Sequence, residues 1–174
     1  MIDGGNFYYK FRELSLPNVS QFDYRGLSSW LARNRHVVSV SYYIGVVRAK
    51  NNDLKGQALR RQQQKLFAHL ESDVQNVSVK RGYIMHNEDG YHEKGVDVQI
   101  AADLITGALK NQYDTAIVLS SDTDLLPAIE IVRAEGKNVE YIGFAHKPSL
   151  AMQKYASLSR LLIKEELLPF VREK

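Results

Sequence analysis

The sequence predicts an α/β fold built on a mainly parallel central sheet with helices on both faces. Two observations lead there. Short β-branched and aromatic runs alternate with stretches of helical periodicity, the pattern of strand–helix–strand units. The chain is 174 residues long, enough to bury a core of its own, and no repeat, low-complexity tract or long linker divides it. Residues 1–174 therefore read as one domain, with no accessory domain beside it.

The elements follow in order. Met1 and Ile2 form a very short apolar start before Asp3. Leu27, Trp30 and Leu31 fall at i, i+3 and i+4, a helical signature within residues 23–35. Residues 37–47, VVSVSYYIGVV, read as a buried strand. Residues 53–72 read as a helix with Leu59, Leu66, Phe67 and Leu70 on one stripe and Lys55, Arg60, Arg61 and Lys65 on other faces. A strand is expected over 77–85, then a turn at Asp89-Gly90 that fits a hairpin tip. Residues 96–110 read as a helix with Ile100, Ala101, Leu104, Ile105 and Ala108 facing a core. A strand over 115–120 leads to a helix over about 124–135, with Pro127 tolerated in its first turn and Gly136 ending it. Another strand covers 138–144, and Ser149 caps a helix over 150–156. The apolar tail, 158–170, fits either a last helix or an extended segment.

Composition narrows the function classes. Cysteine is absent, which excludes a disulfide framework and thiolate zinc sites. No apolar run approaches the length of a membrane span, and the N-terminus lacks the regions of a signal peptide, so a cytoplasmic protein with no membrane partner is expected. The net charge is only +3, but it is unevenly spread. Residues 1–86 hold 13 Lys+Arg against 6 Asp+Glu, and residues 87–174 hold 10 against 14. A basic half beside an acidic half suits a polyanion guided to a carboxylate cluster, although a solvated surface gives the same asymmetry. The five histidines show no H-E-x-x-H spacing, and neither a P-loop nor a G-x-S-x-G elbow occurs.

The carboxylates carry the chemistry. Open parallel sheets bind ligands beyond the carboxyl ends of their strands. Asp3 follows the first apolar pair, and Asp122 and Asp124 follow the strand ending near Ser120. Asp97 lies in the first turn of a helix, where free N–H groups and the dipole favour an anion. Two carboxylates about 4 Å apart repel by about 4 kcal/mol at an effective dielectric of 20, so a cluster calls for a compensating cation or protons. All-oxygen ligation selects Mg2+ or Mn2+, which can activate water and stabilise the leaving oxygen of a phosphodiester. Each acid also has a plainer reading: Asp3-Gly4-Gly5-Asn6 as a turn, Asp97 as a helix cap, Asp122 or Asp124 as a cap of the next helix. Asp103, six residues beyond Asp97, points well away from it and is taken as structural or supporting.

Three segments, MIDGGNFY (1–8), KGVDVQIAAD (94–103) and LSSDTDLLP (119–127), together resemble the NYN domain family. That family includes the LabA-like proteins and belongs to the PIN-like nuclease superfamily. Order and spacing agree over essentially the whole chain. The resemblance implies a three-layer, Rossmann-like, PIN-type fold. It implies that Asp3, Asp97, Asp122 and Asp124 bind Mg2+ or Mn2+ and support RNA cleavage. It further implies that Asn6 orients Asp3 or a metal-bound water, and that Ser120 steadies the loop presenting Asp122. Lys94 and Ser120 are also candidates for meeting substrate. The sequence departs from the family in having only Met1 and Ile2 before the first aspartate, and in carrying Ser121 where many members have Gly.

The expected activity is therefore that of a metal-dependent ribonuclease acting on single-stranded or structured RNA. The alternatives are an NYN-type RNA-binding or regulatory module of weak catalysis, and a phosphoesterase acting on DNA or nucleotides. A domain of this size could form a homodimer to lengthen its groove. Lys94, Arg60, Arg61 and Lys65 could meet phosphates or merely be solvated, and Tyr8, Tyr9, Tyr42 and Tyr43 could stack bases or pack a core.

Overall fold

The computed structural model of the chain describes residues 1–17, 19–47, 53–87 and 90–171, without the side chains of 83–93. Its strands are β1 (Ile2–Asp3), β2 (Ser41–Val46), β3 (Ser78–Asn87), β4 (Gly90–Lys94), β5 (Thr115–Leu119), β6 (Asn138–Phe144) and β7 (Leu158–Leu162). Its helices are α1 (Gly4–Glu13), α2 (Tyr24–Ala32), α3 (Leu54–Leu70), α4 (Val96–Leu109), α5 (Leu126–Ala134), α6 (Leu150–Tyr155) and the short α7 (Lys164–Leu167). The strands form one sheet in the order β4-β3-β2-β1-β5-β6-β7. All neighbours pair in parallel except β3 and β4. The mainly parallel α/β sheet expected from the sequence is what the chain forms.

Strand side chains alternate between two cores, as a period of two requires. Tyr42, Leu119 and Ile142 face one core with Phe7 and Phe11 of α1, Leu27 and Leu31 of α2, and Leu66 and Leu70 of α3. Tyr43, Val118 and Tyr141 face the other with Ile100 and Leu104 of α4, Ile129 and Val132 of α5, and Met152 of α6. The sheet is thus the middle of three layers. Among the described residues, no helix is long and apolar enough to cross a membrane.

Several expectations need correction. Residues 4–13 form a helix where the sequence predicts a turn, because Gly4 and Gly5 are poor helix formers. Tertiary packing overrides that preference: a Cβ on Gly4 would stand 2.6 Å from the Tyr43 carbonyl oxygen and 2.4 Å from the Tyr42 ring. Glycine is what lets α1 start so close to β2. The strand over 37–47 shrinks to Ser41–Val46, and Val38 is exposed. Leu59 is exposed too, so only the C-terminal half of α3's apolar stripe reaches the core. The tail is both of the expected things in turn, the edge strand β7 and then α7 with a 3-10 turn over Leu168–Phe170.

Other local signals are met. Ser149 caps α6 by accepting from the Met152 N–H at 3.3 Å. Gly136 takes φ +76° just beyond α5, a conformation natural to glycine. β3 and β4 pair as an antiparallel ladder from Tyr83↔Lys94 to Asn87↔Gly90. Asp89 of the expected Asp89-Gly90 turn lies outside the described residues.

The topology sets the position of the site. From β1 the strand order runs to β2 on one side and to β5 on the other, so the β1–β5 junction is the switch point of the sheet. Crevices at carboxyl ends beside such a switch are where open α/β sheets bind ligands.

Candidate active site at the carboxyl edge of the sheet

Asp3 ends β1 and caps α1. It is 6% exposed, and both its oxygens are engaged: Oδ1 accepts from the Asn6 backbone N–H at 2.9 Å, and Oδ2 accepts from the Ser120 hydroxyl at 2.7 Å. Burial pushes its carboxyl above the usual aspartate range, against the pull of these two hydrogen bonds, and the negative charges of Asp97 and Asp122 push the same way.

Ser120 lies at the end of β5 and is 1% exposed. Its oxygen also accepts from the Asp122 backbone N–H at 3.2 Å, so one hydroxyl ties Asp3 to the loop that carries Asp122. With both functions used inside the protein, Ser120 is a bridge between acid-bearing segments and does not reach outward to a substrate.

Asp122 and Asp124 flank the start of a 3-10 turn over Thr123–Leu125, which precedes α5. Asp122 caps that turn by accepting from the Asp124 N–H at 2.9 Å through Oδ1. Asp122 is half-buried and Asp124 is exposed. The capping role weighed for Asp122 is therefore real, and it leaves the second carboxylate oxygen uncommitted.

Asp97 reaches the same edge by a different route. β3 runs past the end of β2, since Val46 pairs with Tyr83 while β3 continues to Asn87. β4 then returns until Lys94 stands opposite Tyr83. The antiparallel return brings the chain back level with the end of β2 just as α4 begins. Gly95, in the left-handed conformation at φ 78°, precedes α4 and provides no side-chain cap. Asp97 therefore sits inside the first turn rather than capping it. Its carboxyl is pushed up by burial first, and then by the charges of Asp122 and Asp124. Gly82 makes room for this junction, because a Cβ there would meet the Val96 side chain at 2.7 Å and the Lys94 carbonyl at 2.9 Å.

Asn6 meets Asp3 through its backbone. Its backbone N–H, not its side chain, holds Asp3. Its Oδ1 is buried and has no hydrogen-bond partner. A buried acceptor left unpaired costs about 1–3 kcal/mol, a cost removed when a donor or a cation comes within reach. Lys94 is exposed at the end of β4. Asp103 turns to structural work: it accepts from the Tyr43 hydroxyl at 3.1 Å and from Gln99 at 2.8 Å, with Lys80 at 3.8 Å. Tyr42 and Tyr43 are buried and cannot stack bases, whereas Tyr8 and Tyr9 are exposed.

Asp3 feels the charges of Asp97 and Asp122, and Asp97 those of Asp122 and Asp124, but the described residues hold no group of three acidic or histidine side chains spaced to share a metal ion. The donor chemistry nevertheless fits a hard cation, being all carboxylate and amide oxygen. Asp3 is fixed, and the unpaired Asn6 oxygen is the buried polar atom that a cation or its water would satisfy.

The chain resembles known proteins in sequence and in fold. The family model for the NYN domain matches residues 1–160. A crystal structure of a protein of unknown function from Vibrio parahaemolyticus superposes with a TM-score of 0.61 at 24% identity, over 94% of this chain and 91% of that one. That likeness concerns the fold. Comparison with curated proteins gives no match. With its motifs at one edge of such a sheet and the family model covering most of its length, the chain belongs to the NYN domain family, in the PIN-like nuclease superfamily.

Proposed function

We propose that this chain is a metal-dependent ribonuclease in which Asp3, Asp97, Asp122 and Asp124 hold Mg2+ or Mn2+. The observation that carries the reading is the gathering of aspartates from three separate segments at one edge of the sheet, two of them with carboxyls raised by burial and by neighbouring aspartates. PIN-like nucleases typically use divalent metals, and the oxygen donors here suit one. When bound, such an ion neutralises the clustered charge and activates water for attack on a phosphodiester. The chain's own residues do the rest. Asp3 is the rigid member, clamped by the Asn6 N–H and the Ser120 hydroxyl. Asp97 gains from the free N–H groups of the first turn of α4. Asp122 and Asp124 stand on a short turn and can adjust. Lys94, exposed three residues before Asp97, is placed to meet a phosphate.

Cleavage of labelled single-stranded RNA, hairpin RNA and single-stranded DNA, with Mg2+, Mn2+ or EDTA, tests this reading. The expected result is metal-dependent cutting of RNA that disappears in Asp97→Asn and Asp122→Asn, both folded. Cutting by both variants at the wild-type rate would overturn the assignment. The second reading is an RNA-binding module of weak catalysis. RNA binding with no turnover in any metal would decide for it.

A further inference from the structure

α1 carries two kinds of aromatic side chain. Phe7 and Phe11 are fully buried, but Tyr8 is 42% and Tyr9 67% exposed. Gly4, Phe7 and Phe11 make the face that packs on the sheet. Residues 5, 8, 9 and 12 fall at i, i+3, i+4 and i+7, so Gly5, Tyr8, Tyr9 and Arg12 share an outer stripe. The two tyrosine rings meet edge to face with centroids 5.7 Å apart, and the Arg12 guanidinium lies 5.7 Å from the Tyr8 centroid. Aromatic surface of this kind in water does nothing for the core.

The helix that carries the stripe springs directly from Asp3, the N-cap of α1. At a rise of 1.5 Å per residue, Tyr8 and Tyr9 lie about 7.5 and 9 Å along the helix from Asp3, within a few nucleotides' reach. Gly5, one turn nearer the start of the helix on the same stripe, presents no side chain. The surrounding charge is mainly basic. Lys10 and Arg12 lie in the last turn of α1, and the loop after β6 brings His146 and Lys147 against Glu13 at 2.8 and 2.6 Å. Glu13 also lies 3.8 Å from Lys10, so it is the one carboxylate in this cluster of basic groups.

We propose that Tyr8, Tyr9 and Arg12 form a base-stacking shelf for single-stranded RNA, adjoining the carboxylates. The position of the cut relative to the shelf rests on the nuclease reading; the stacking does not. A tyrosine face accepts any base, and Lys10, Arg12 and Lys147 neutralise the phosphates between them. A duplex has no free base face to offer, so the shelf selects single strands.

The test is fluorescence anisotropy of an end-labelled single-stranded RNA in EDTA, where no cutting intervenes. The Tyr8→Ala/Tyr9→Ala protein should bind about tenfold or more weakly, Tyr8→Phe/Tyr9→Phe should stay within about twofold of wild type, and wild type should lose about tenfold on a strand with its central bases removed. Equal binding of the intact strand by the alanine pair and wild type overturns the shelf. So does equal binding of the intact and base-free strands by wild type, which needs no variant to fold. A phenylalanine pair as weak as the alanine pair also overturns it, since that is loss of a hydroxyl and not of stacking. Cleavage of the same RNA with Mn2+ is read separately. Turnover with shelf-independent binding sinks this inference alone, and shelf-dependent binding without turnover sinks the nuclease reading alone.

Discussion

Ser120→Ala isolates the device that keeps a buried carboxylate at the heart of the site. The substitution removes a hydroxyl that donates to Asp3 Oδ2 at 2.7 Å and accepts from the Asp122 N–H at 3.2 Å. Ser120 is 1% and Asp3 6% exposed, so bulk water does not take its place. A hydrogen bond to an ionised acceptor contributes about 1.5–3 kcal/mol, a neutral one about 0.5–1.5. The Asp3 carboxyl already lies above its usual range because burial outweighs these hydrogen bonds. Losing one of them moves it further up. A carboxyl whose folded value is raised contributes stability that is fully present below the unfolded value, about 4, and is lost as pH rises through the folded value. The variant should therefore be about 1.5–3 kcal/mol less stable than wild type on the alkaline side of the Asp3 titration, where the carboxylate is charged, and only about 0.5–1.5 kcal/mol less stable near pH 3, where it is protonated. Urea unfolding of the metal-free protein across pH 3–8 reads this difference. A gap that does not change with pH, or no gap, refutes the claim that Ser120 stabilises the charged form of Asp3.

Two further expectations test the surroundings. Gly4→Ala places a Cβ 2.6 Å from the Tyr43 carbonyl, and backbone cannot yield cheaply, so overpacking should cost about 1–3 kcal/mol and shift the start of α1 with the Asp3 cap; unfolding at the wild-type denaturant midpoint would show that α1 tolerates the displacement. RNA affinity should fall steeply between low and moderate salt as Lys and Arg side chains of the basic half release counterions from phosphates; a flat salt profile in an anisotropy titration would remove residues 1–86 as the RNA track.

Much of the fold was legible because its causes are local. The alternation that sends Tyr42 and Tyr43 to opposite cores, the 3.6-residue spacing of Leu27 and Leu31 or Ile100 and Leu104, and the cap at Ser149 each depend on neighbours a few residues away. The positions of Asp3 and Asp122 at the carboxyl ends of strands were legible too, since both follow strand-like runs. The helix over Gly4–Glu13 was not, because two glycines weigh against it locally and the reason for Gly4 is a close approach to β2, thirty-odd residues away. The exposure of Leu59 escaped for a similar cause: a helical pattern shows which residues share a face, not how far along the helix the core extends.

By itself, then, the sequence determined the alternation of strands and helices, the acid-bearing motifs and the family they belong to. Tertiary structure decided what those acids can do together. Asp97 follows an antiparallel strand, and only the overrun of β3 and the return of β4 bring it level with Asp3 and Asp122. The clamp on Asp3 joins residues 117 positions apart, and the unpaired Asn6 oxygen exists only because α1 buries it there. Local periodicity is written in adjacent side chains, whereas strand order, burial and the coupling of charges arise only when distant segments are brought into one low-dielectric crevice.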